Sequence, residues 1–438
     1  MPRRRRFRLN WHFWSALAIF VLAIAIYIGV GVAFAAVSPK RPGVPRDLQL
    51  ALIARALDAT LAVWFFAVGA SIGSFLNVVA YRLPLGRTLG GHSACPFCCT
   101  TISPLDNIPV FAWIRLRGRC RRCHLPISIQ YPLVELAVGL IFLCVYFIEF
   151  SVGGSNLPDS TIAPTGIGLM WTAVTQTLAV RVLLLALTLS GLVAAALIVV
   201  RNARPPLTLF AWIVAVIAVG ELFLPATVVV AWWPRPPAWS QSFSFVPSVL
   251  KLVFGLAAGC LTAAITQPFL RRGSNRFGWY GVCACLGALL GWQAVTSATC
   301  LVLLVSLIGW AAVRAVWRSL PREDAAEGLA GRTGWLAGPV RSAGPVRSAG
   351  PLWLADPVVW AWLGLLVFRA NWREIDVLLR GSATSPAWMA VAIGASACVP
   401  LAWLLGRTGL PAGTDLAIAD GDGDGQINEP EGEVTHSV

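Results

Sequence analysis

Two C-x-x-C pairs, Cys95-Pro96-Phe97-Cys98 and Cys120-Arg121-Arg122-Cys123, place four thiols in one loop with a 21-residue gap between the pairs. Thiolates at this double spacing suit a tetrahedral Zn²⁺ ion, because both sulfurs of one turn can reach the same metal. Arg119, Arg121 and Arg122 beside them favour the thiolate form. Cys99, His92 and His124 are further donors within reach in sequence. The competing readings are two disulfides or four unrelated thiols, and a reducing compartment disfavours the first. The metal's role would be structural, folding a loop too small for a core of its own. Cys144, Cys260, Cys283, Cys285, Cys300 and Cys398 lie in apolar stretches and read as packing residues.

A second cation site is written near the C-terminus. Asp420, Asp422 and Asp424 stand at positions 1, 3 and 5 of a twelve-residue calcium loop, with Gly425 at the sharp turn. Gln426 supplies a carbonyl, Asn428 can hold a water, and Glu431 closes the site with two oxygens. Pro430 interrupts the exit, and no second loop exists to pair with Ile427. The expected affinity is therefore low, about 10⁻⁴–10⁻³ M. The other reading is an acidic disordered tail.

Most of the chain must position these sites in a membrane. Of 438 residues, 57% are hydrophobic and 12% charged, and the mean hydropathy is +0.72. Soluble domains carry about 25% charged residues. The net charge of +14 resides in short arginine-bearing loops, which follows the positive-inside rule and argues against nucleic acid as a partner. No phosphate-binding loop and no Ser-His-Asp arrangement is present.

An apolar run from Trp11 to Val37 follows four consecutive arginines and reads as a retained first helix. Ala33-Phe34-Ala35 also has the form a signal peptidase accepts. Further apolar segments at 59–80, 131–150, 170–200, 207–231, 247–270, 278–295, 298–316, 353–369 and 386–405 predict about 8 to 10 spans. With the N-terminus inside, loop 81–127 is cytoplasmic and arginine-rich, and loop 151–169 is outside and has no Lys or Arg. Loop 38–58 is the contrary case, with Lys40, Arg41, Arg46 and Arg55. The divisions expected are 1–58, 59–150, 170–316, a linker at 317–352, 353–406, and a tail at 407–438. The linker holds a tandem G-P-V-R-S-A repeat at 338–343 and 344–349, a composition expected to be disordered.

The stretch from Gly73 to Glu135 resembles the N-terminal domain of the prepilin leader peptidases. The residues that carry the resemblance are Gly73, Ser74, Phe75, Asn77, Tyr81, Arg82 and Pro84, and the two cysteine pairs. Asp106-Asn107-Ile108-Pro109, the run from Trp113 to Cys123, and Tyr131-Pro132 with Glu135 complete it. The likeness covers 65–150 in detail and 180–310 more loosely. It implies a bacterial inner-membrane protein of type IV pilus or type II secretion machinery. The family's members cleave the leader of prepilins and methylate the new N-terminus with S-adenosylmethionine. Prepilin-like substrates, pilus or secretion assembly proteins and membrane lipids are the implied partners.

The family's proteolysis uses two aspartates, one as base and one as acid. Leu207-Thr208-Leu209 matches the motif after the first aspartate, yet no residue from 182 to 220 is Asp or Glu. Leu286 to Gly291 matches the helix after the second, and counting back puts Trp279 in the aspartate's place and Gly281 in that of a lysine. Glu221 is the only carboxylate within 207–231; its depth suits a structural residue or an arginine partner better than a catalytic pair. Asp106 reads as a turn former.

The sequence thus predicts an all-α polytopic bundle with a small zinc-bearing cytoplasmic loop. Its expected role is that of a family relative degenerate for peptidase activity, which recognises prepilin-like helices or assists a functional peptidase. The alternatives are a retained prepilin N-methyltransferase and an active peptidase with displaced acids.

Overall fold

The computed structural model describes residues 11–37, 48–91, 93–95, 97–151, 154, 156, 173–201, 203–223, 245–270, 275–319, 356–380 and 387–407. The linker repeat, the calcium-loop residues Asp420 to Glu431, and His92 lie outside them. Within them the only extended pairing is two isolated bridges, Ala94 with Thr101 and Arg119 with Pro126. Everything else regular is helical, so the architecture is an all-α bundle.

The helices are α1 (Trp11–Val37), α2 (Leu48–Arg82), α3 (Phe111–Leu116), α4 (Gln130–Val145), α5 (Ala173–Val200) and α6 (Leu207–Phe223). They continue as α7 (Phe245–Thr266), α8 (Arg276–Leu290), α9 (Val295–Ser319), α10 (Pro357–Ala370), α11 (Trp372–Arg380) and α12 (Ala387–Arg407). Among the described residues five helices are long and apolar enough to cross a membrane: Leu48–Leu85, Gln130–Phe150, Leu178–Val200, Ser248–Phe269 and Val295–Ala312. Leu17–Ala33, Leu207–Phe223, Arg276–Leu290, Pro357–Ala370 and Val391–Leu405 are shorter apolar helices beside them. The protein is a multi-pass membrane protein.

Several boundaries differ from those read in the sequence. α2 runs through the expected division at 58, because Leu48 to Leu57 continues the helical pattern with no breaker. At 35 residues it is about 52 Å long, against a hydrocarbon layer of about 30 Å. Arg55 therefore sits within a helix and not in a loop. The stretch 278–316 divides at Gly291, whose φ of 81° ends α8 four residues before α9 begins.

Close helix contacts rest on small residues. α2 and α4 pack so tightly that a Cβ on Gly73 would stand 2.8 Å from the Cα of Glu135. α7 meets α8 backbone to backbone: a Cβ on Gly255 would come within 2.1 Å of the Gly287 carbonyl oxygen, and one on Gly259 within 2.2 Å of that of Cys283. This G-x-x-x-G spacing lets two membrane helices approach closely enough for van der Waals packing, one of the forces that remain where lipid is as apolar as the side chains. α5 and α8 are the most enclosed elements, with Leu189, Leu192, Ile198, Val282 and Leu286 wholly buried.

The order of the helices puts the cysteine loop, the α5–α6 turn, and the starts of α8 and α10 on one side, called here the knuckle side. The ends of α4, α6, α8 and α10 lie on the far side.

Candidate metal centre and the membrane core behind it

The cysteine pairs form two matching turns. In the first, Cys95 N–H donates to Thr100 O at 3.0 Å and Cys99 N–H to Cys95 O at 2.9 Å. In the second, Cys120 N–H donates to Leu125 O at 2.9 Å and His124 N–H to Cys120 O at 3.0 Å. The residue after each second cysteine has positive φ, 52° at Cys99 and 59° at His124. Those two residues turn the chain, and neither belongs to the ligand cluster.

The Sγ atoms of Cys95, Cys98, Cys120 and Cys123 all lie within 4.8 Å of one another. Cys95 and Cys123 are 3.8 Å apart, Sγ to Sγ. Zn–S bonds of about 2.3 Å in a tetrahedron give an edge of about 3.8 Å. A disulfide is about 2.05 Å, and all four are free thiols. The donor set and its spacing fit zinc and exclude the disulfide reading in this structure.

Electrostatics separate the four sulfurs. Hydrogen bonds from the Thr100 side chain and backbone N–H lower the Cys98 thiol to about 6. Backbone N–H groups of Cys123 and Arg122 lower Cys120. Cys123 receives the Leu125 N–H, yet burial and the neighbouring sulfurs push it up to about 11. A divalent cation at the centre would remove that mutual repulsion.

Asp106 fastens the second turn. It ends the one-turn 3₁₀ helix Pro104–Asn107 together with Asn107. Its carboxylate accepts from Arg121 Nε at 2.6 Å and from Arg115 Nη2 at 2.7 Å. The Arg121 guanidinium, and then Arg115, hold this carboxyl below the usual carboxylate range. Trp113 lies over Gly118, whose φ is 64°, and donates Nε1–H to Ile127 O at 3.1 Å. A Cβ on Gly118 would meet the Trp113 ring at 2.8 Å.

The loop is tied down to the helices. Pro109 leads into Val110, a β-branched residue at φ 64°, ψ −55°. Such a conformation is an outlier for valine. Its N–H donates to Glu135 Oε2 at 2.8 Å, and Ser74 also hydrogen-bonds Glu135. Asn77 donates to Gly73 O at 3.3 Å and Tyr131 O at 3.4 Å. Arg82 holds the carbonyls of Thr88 and Gly90 at 3.2 and 2.7 Å, around the turn containing Pro84. Pro132 is buried in the first turn of α4, where a missing N–H costs nothing. The residues from Gly73 to Glu135 thus meet at one place, the knuckle end of the α2–α4 pair.

Deeper in the bundle, Trp279 is 1% exposed and donates Nε1–H to Thr266 Oγ1 at 2.9 Å. Beside this start of α8 stands an acid that the sequence reading passed over. Asp356 accepts from Val358 N at 3.0 Å, capping α10, and from Asn275 N at 3.1 Å. The signal was Asp-Pro before an apolar run, a helix-start pattern.

Glu221 pairs with Lys251, not with an arginine. Lys251 also donates to Ala288 O at 3.0 Å and Leu289 O at 2.8 Å, using all three protons to close the end of α8. On the same far side Arg369 Nε meets Glu149 Oε1 at 2.6 Å, the two side chains 4% and 0% exposed. Neither pair is apparent in the sequence, since its members lie 30 and 220 residues apart.

Comparison with known proteins agrees with this arrangement. Residues 67–149 match the bacterial peptidase A24 N-terminal domain. The prepilin leader peptidase/N-methyltransferase of Pectobacterium carotovorum subsp. carotovorum is 31% identical over 298 residues, 61% of this chain and 88% of that protein. The same-named protein of Myxococcus xanthus is 49% identical over 82 residues, 18% of this chain and 24% of the relative. The type 4 prepilin-like proteins leader peptide-processing enzyme of Escherichia coli is 43% identical over 94 residues, 17% and 35% of the two chains. No solved structure matches. A relative matched along most of its length, together with an N-terminal domain that spans the cysteine turns and both their helices, places this chain in the prepilin leader peptidase/N-methyltransferase family.

Proposed function

We propose that this protein acts on prepilin-like chains in the bacterial inner membrane without aspartic peptidase chemistry of its own. Its role is to recognise such chains, or to assist an active peptidase, within a type IV pilus or type II secretion system. The observation that carries the reading is Trp279. At the start of α8, at the position reached by counting back from the Leu286–Gly291 motif to the family's aspartate, the chain has an indole that is buried and hydrogen-bonded to Thr266. The span from 182 to 220 supplies no Asp or Glu to partner an acid there. Asp356, which binds the Asn275 N–H beside the start of α8, is an alternative among the described residues, but both its oxygens already accept backbone N–H groups. General acid–base hydrolysis needs a pair of carboxylates around a water.

A second reading is retained N-methyltransferase activity with S-adenosylmethionine. It is favoured by the match of residues 67–149 to the bacterial peptidase A24 N-terminal domain. Four thiolates closed around a metal would supply structure rather than chemistry, since no coordination position stays open. The tail residues Asp420, Asp422, Asp424, Gln426 and Glu431 are retained as a weak calcium site on their sequence pattern.

The test is a mass assay with the organism's prepilins, S-adenosylmethionine and an active family member as positive control. The proposal expects no leader removal and stable association. Leader removal that is lost in Asp356→Asn overturns it in favour of displaced acids. A gain of one methyl on pre-cleaved pilin moves the activity to the N-terminal domain.

A further inference from the structure

The cysteine module leaves a distinctive surface that neither the metal nor the helix contacts use. The two turns are equivalent around one centre, so Phe97 in the first corresponds to Arg122 in the second. One tip is aromatic and the other cationic. Phe97 is 64% exposed and Leu105 is 63% exposed. Arg87, Arg117 and Arg122 are exposed and make no ion pair among the described residues. Between Leu83 and Ile129 the chain has six arginines and a single carboxylate, that of Asp106. With a divalent metal on four thiolates the module keeps a charge of about +3.

Its position is fixed close to the bilayer. Both ends of the module continue into membrane helices, α2 and α4. Its middle is drawn down as well: the Phe111 ring packs edge-on against Phe20 of α1, with centroids 6.2 Å apart, and Val110 is held by Glu135 of α4. A module so tethered cannot leave the membrane surface. Exposed aromatic and aliphatic groups mixed with cations are the composition that settles at the boundary between headgroups and acyl chains.

We infer that the cysteine module is an interfacial anchor for anionic phospholipid. Phe97 and Leu105 enter the headgroup region on the knuckle side, and Arg87, Arg117 and Arg122 meet lipid phosphates. Charge complementarity selects the occupant: unpaired arginines beside apolar side chains match the phosphate and chain of an acidic lipid. The anchor would hold the metal turns at a fixed height over the membrane, where an incoming transmembrane chain emerges.

The experiment uses the full-length, zinc-loaded protein in nanodiscs of phosphatidylcholine alone or mixed with phosphatidylglycerol. p-Benzoylphenylalanine replaces Phe97 or, separately, Leu105. Leu140 of α4, exposed on the helix surface, is the positive-control position. Metal content of one zinc per chain certifies that each variant is folded. The expected result is lipid adducts at 97 and 105 by intact mass, several-fold more abundant with phosphatidylglycerol. Replacing Arg87, Arg117 and Arg122 together by Gln lowers that preference by about fivefold or more, and leaves labelling at 140 unchanged. Lipid adducts at 140 with none at 97 or 105 overturn the proposal. So does equal labelling in both lipids, and so does cross-linking of 97 or 105 to a protein in native membranes in place of lipid.

Discussion

The carboxylate of Glu135 and the backbone N–H of Val110 lie 2.8 Å apart, joining the second turn of a membrane helix to a loop residue held at positive φ. The bond satisfies an N–H at the start of α3 that has no helical partner, and it holds a valine where valine is costly. Glu135→Ala is expected to destabilise the module by about 1.5–3 kcal/mol, the range for a hydrogen bond to a charged group. Val110→Gly should do the reverse, by about 1 kcal/mol. Thermal melts in detergent, with limited proteolysis between residues 83 and 129, measure both. Cleavage unchanged in Glu135→Ala would rule out the tether.

Metal binding is expected to depend on four side chains and not on their neighbours. Cys98→Ser or Cys120→Ser should abolish the single zinc per chain, whereas Cys99→Ser retains it, because Cys99 lies outside the cluster. Metal analysis of the purified variants decides the matter. Zinc lost from Cys99→Ser would place the ligand set elsewhere.

Asp106 gives the loop a pH dependence of calculable sign. Its folded pKa is depressed, first by Arg121 and then by Arg115. Its contribution is therefore fully present above the ordinary carboxylate range, about 4, and disappears as pH falls through the lower folded value. Arg121 is 62% exposed, so solvent screening limits the pair. Asp106→Asn should cost about 1 kcal/mol at neutral pH. The difference in melting temperature between wild type and Asp106→Asn should stay level down to about pH 4 and shrink below it. A gap that widens on acidification would contradict this assignment.

The Glu221–Lys251 pair is buried at 3% and 8% exposure. Removing one partner leaves a charge alone in a medium that solvates it poorly. Lys251→Met is expected to cost about 3–5 kcal/mol, and Glu221→Gln with Lys251→Met to recover most of it. A double-mutant cycle on folded yield and melting temperature reads the coupling. Additive effects would mean that the two side chains act separately.

The calcium loop is tested by isothermal titration of the full chain. The expectation is one weak site in the range of about 10⁻⁴–10⁻³ M, lost in Asp420→Ala and Glu431→Gln. Heat that is insensitive to both substitutions would leave the tail as an acidic segment only.

What was legible in the sequence was what is local. Thiols with two residues between them share a turn, so Cys95 with Cys98 and Cys120 with Cys123 could be paired without coordinates. Long apolar runs announced the spans, and the motif from Gly73 to Glu135 announced the N-terminal domain. Partners far apart in the chain were not legible. Lys251 is 30 residues from Glu221, and Glu149 and Arg369 belong to segments with no shared pattern. Asp356 was hidden because a helix cap and a catalytic acid look alike in one dimension. The ends of α8 and α9 were blurred for a related reason: Gly291 breaks the helix through its φ, which hydropathy does not register.

The Glu149–Arg369 contact sets an order for the birth of the protein. Glu149 lies in the short helical segment Tyr146–Phe150 that continues the fourth helix, and Arg369 lies 220 residues later, beyond the linker. While the ribosome is still making the chain between them, the acid cannot meet this arginine, and the lipid bilayer is a poor place to wait. The first third of the molecule therefore completes its packing at this point only when the tenth helix arrives. Cutting the chain at the linker would not yield two tidy halves. It would part a buried carboxylate from its guanidinium partner on the tenth helix.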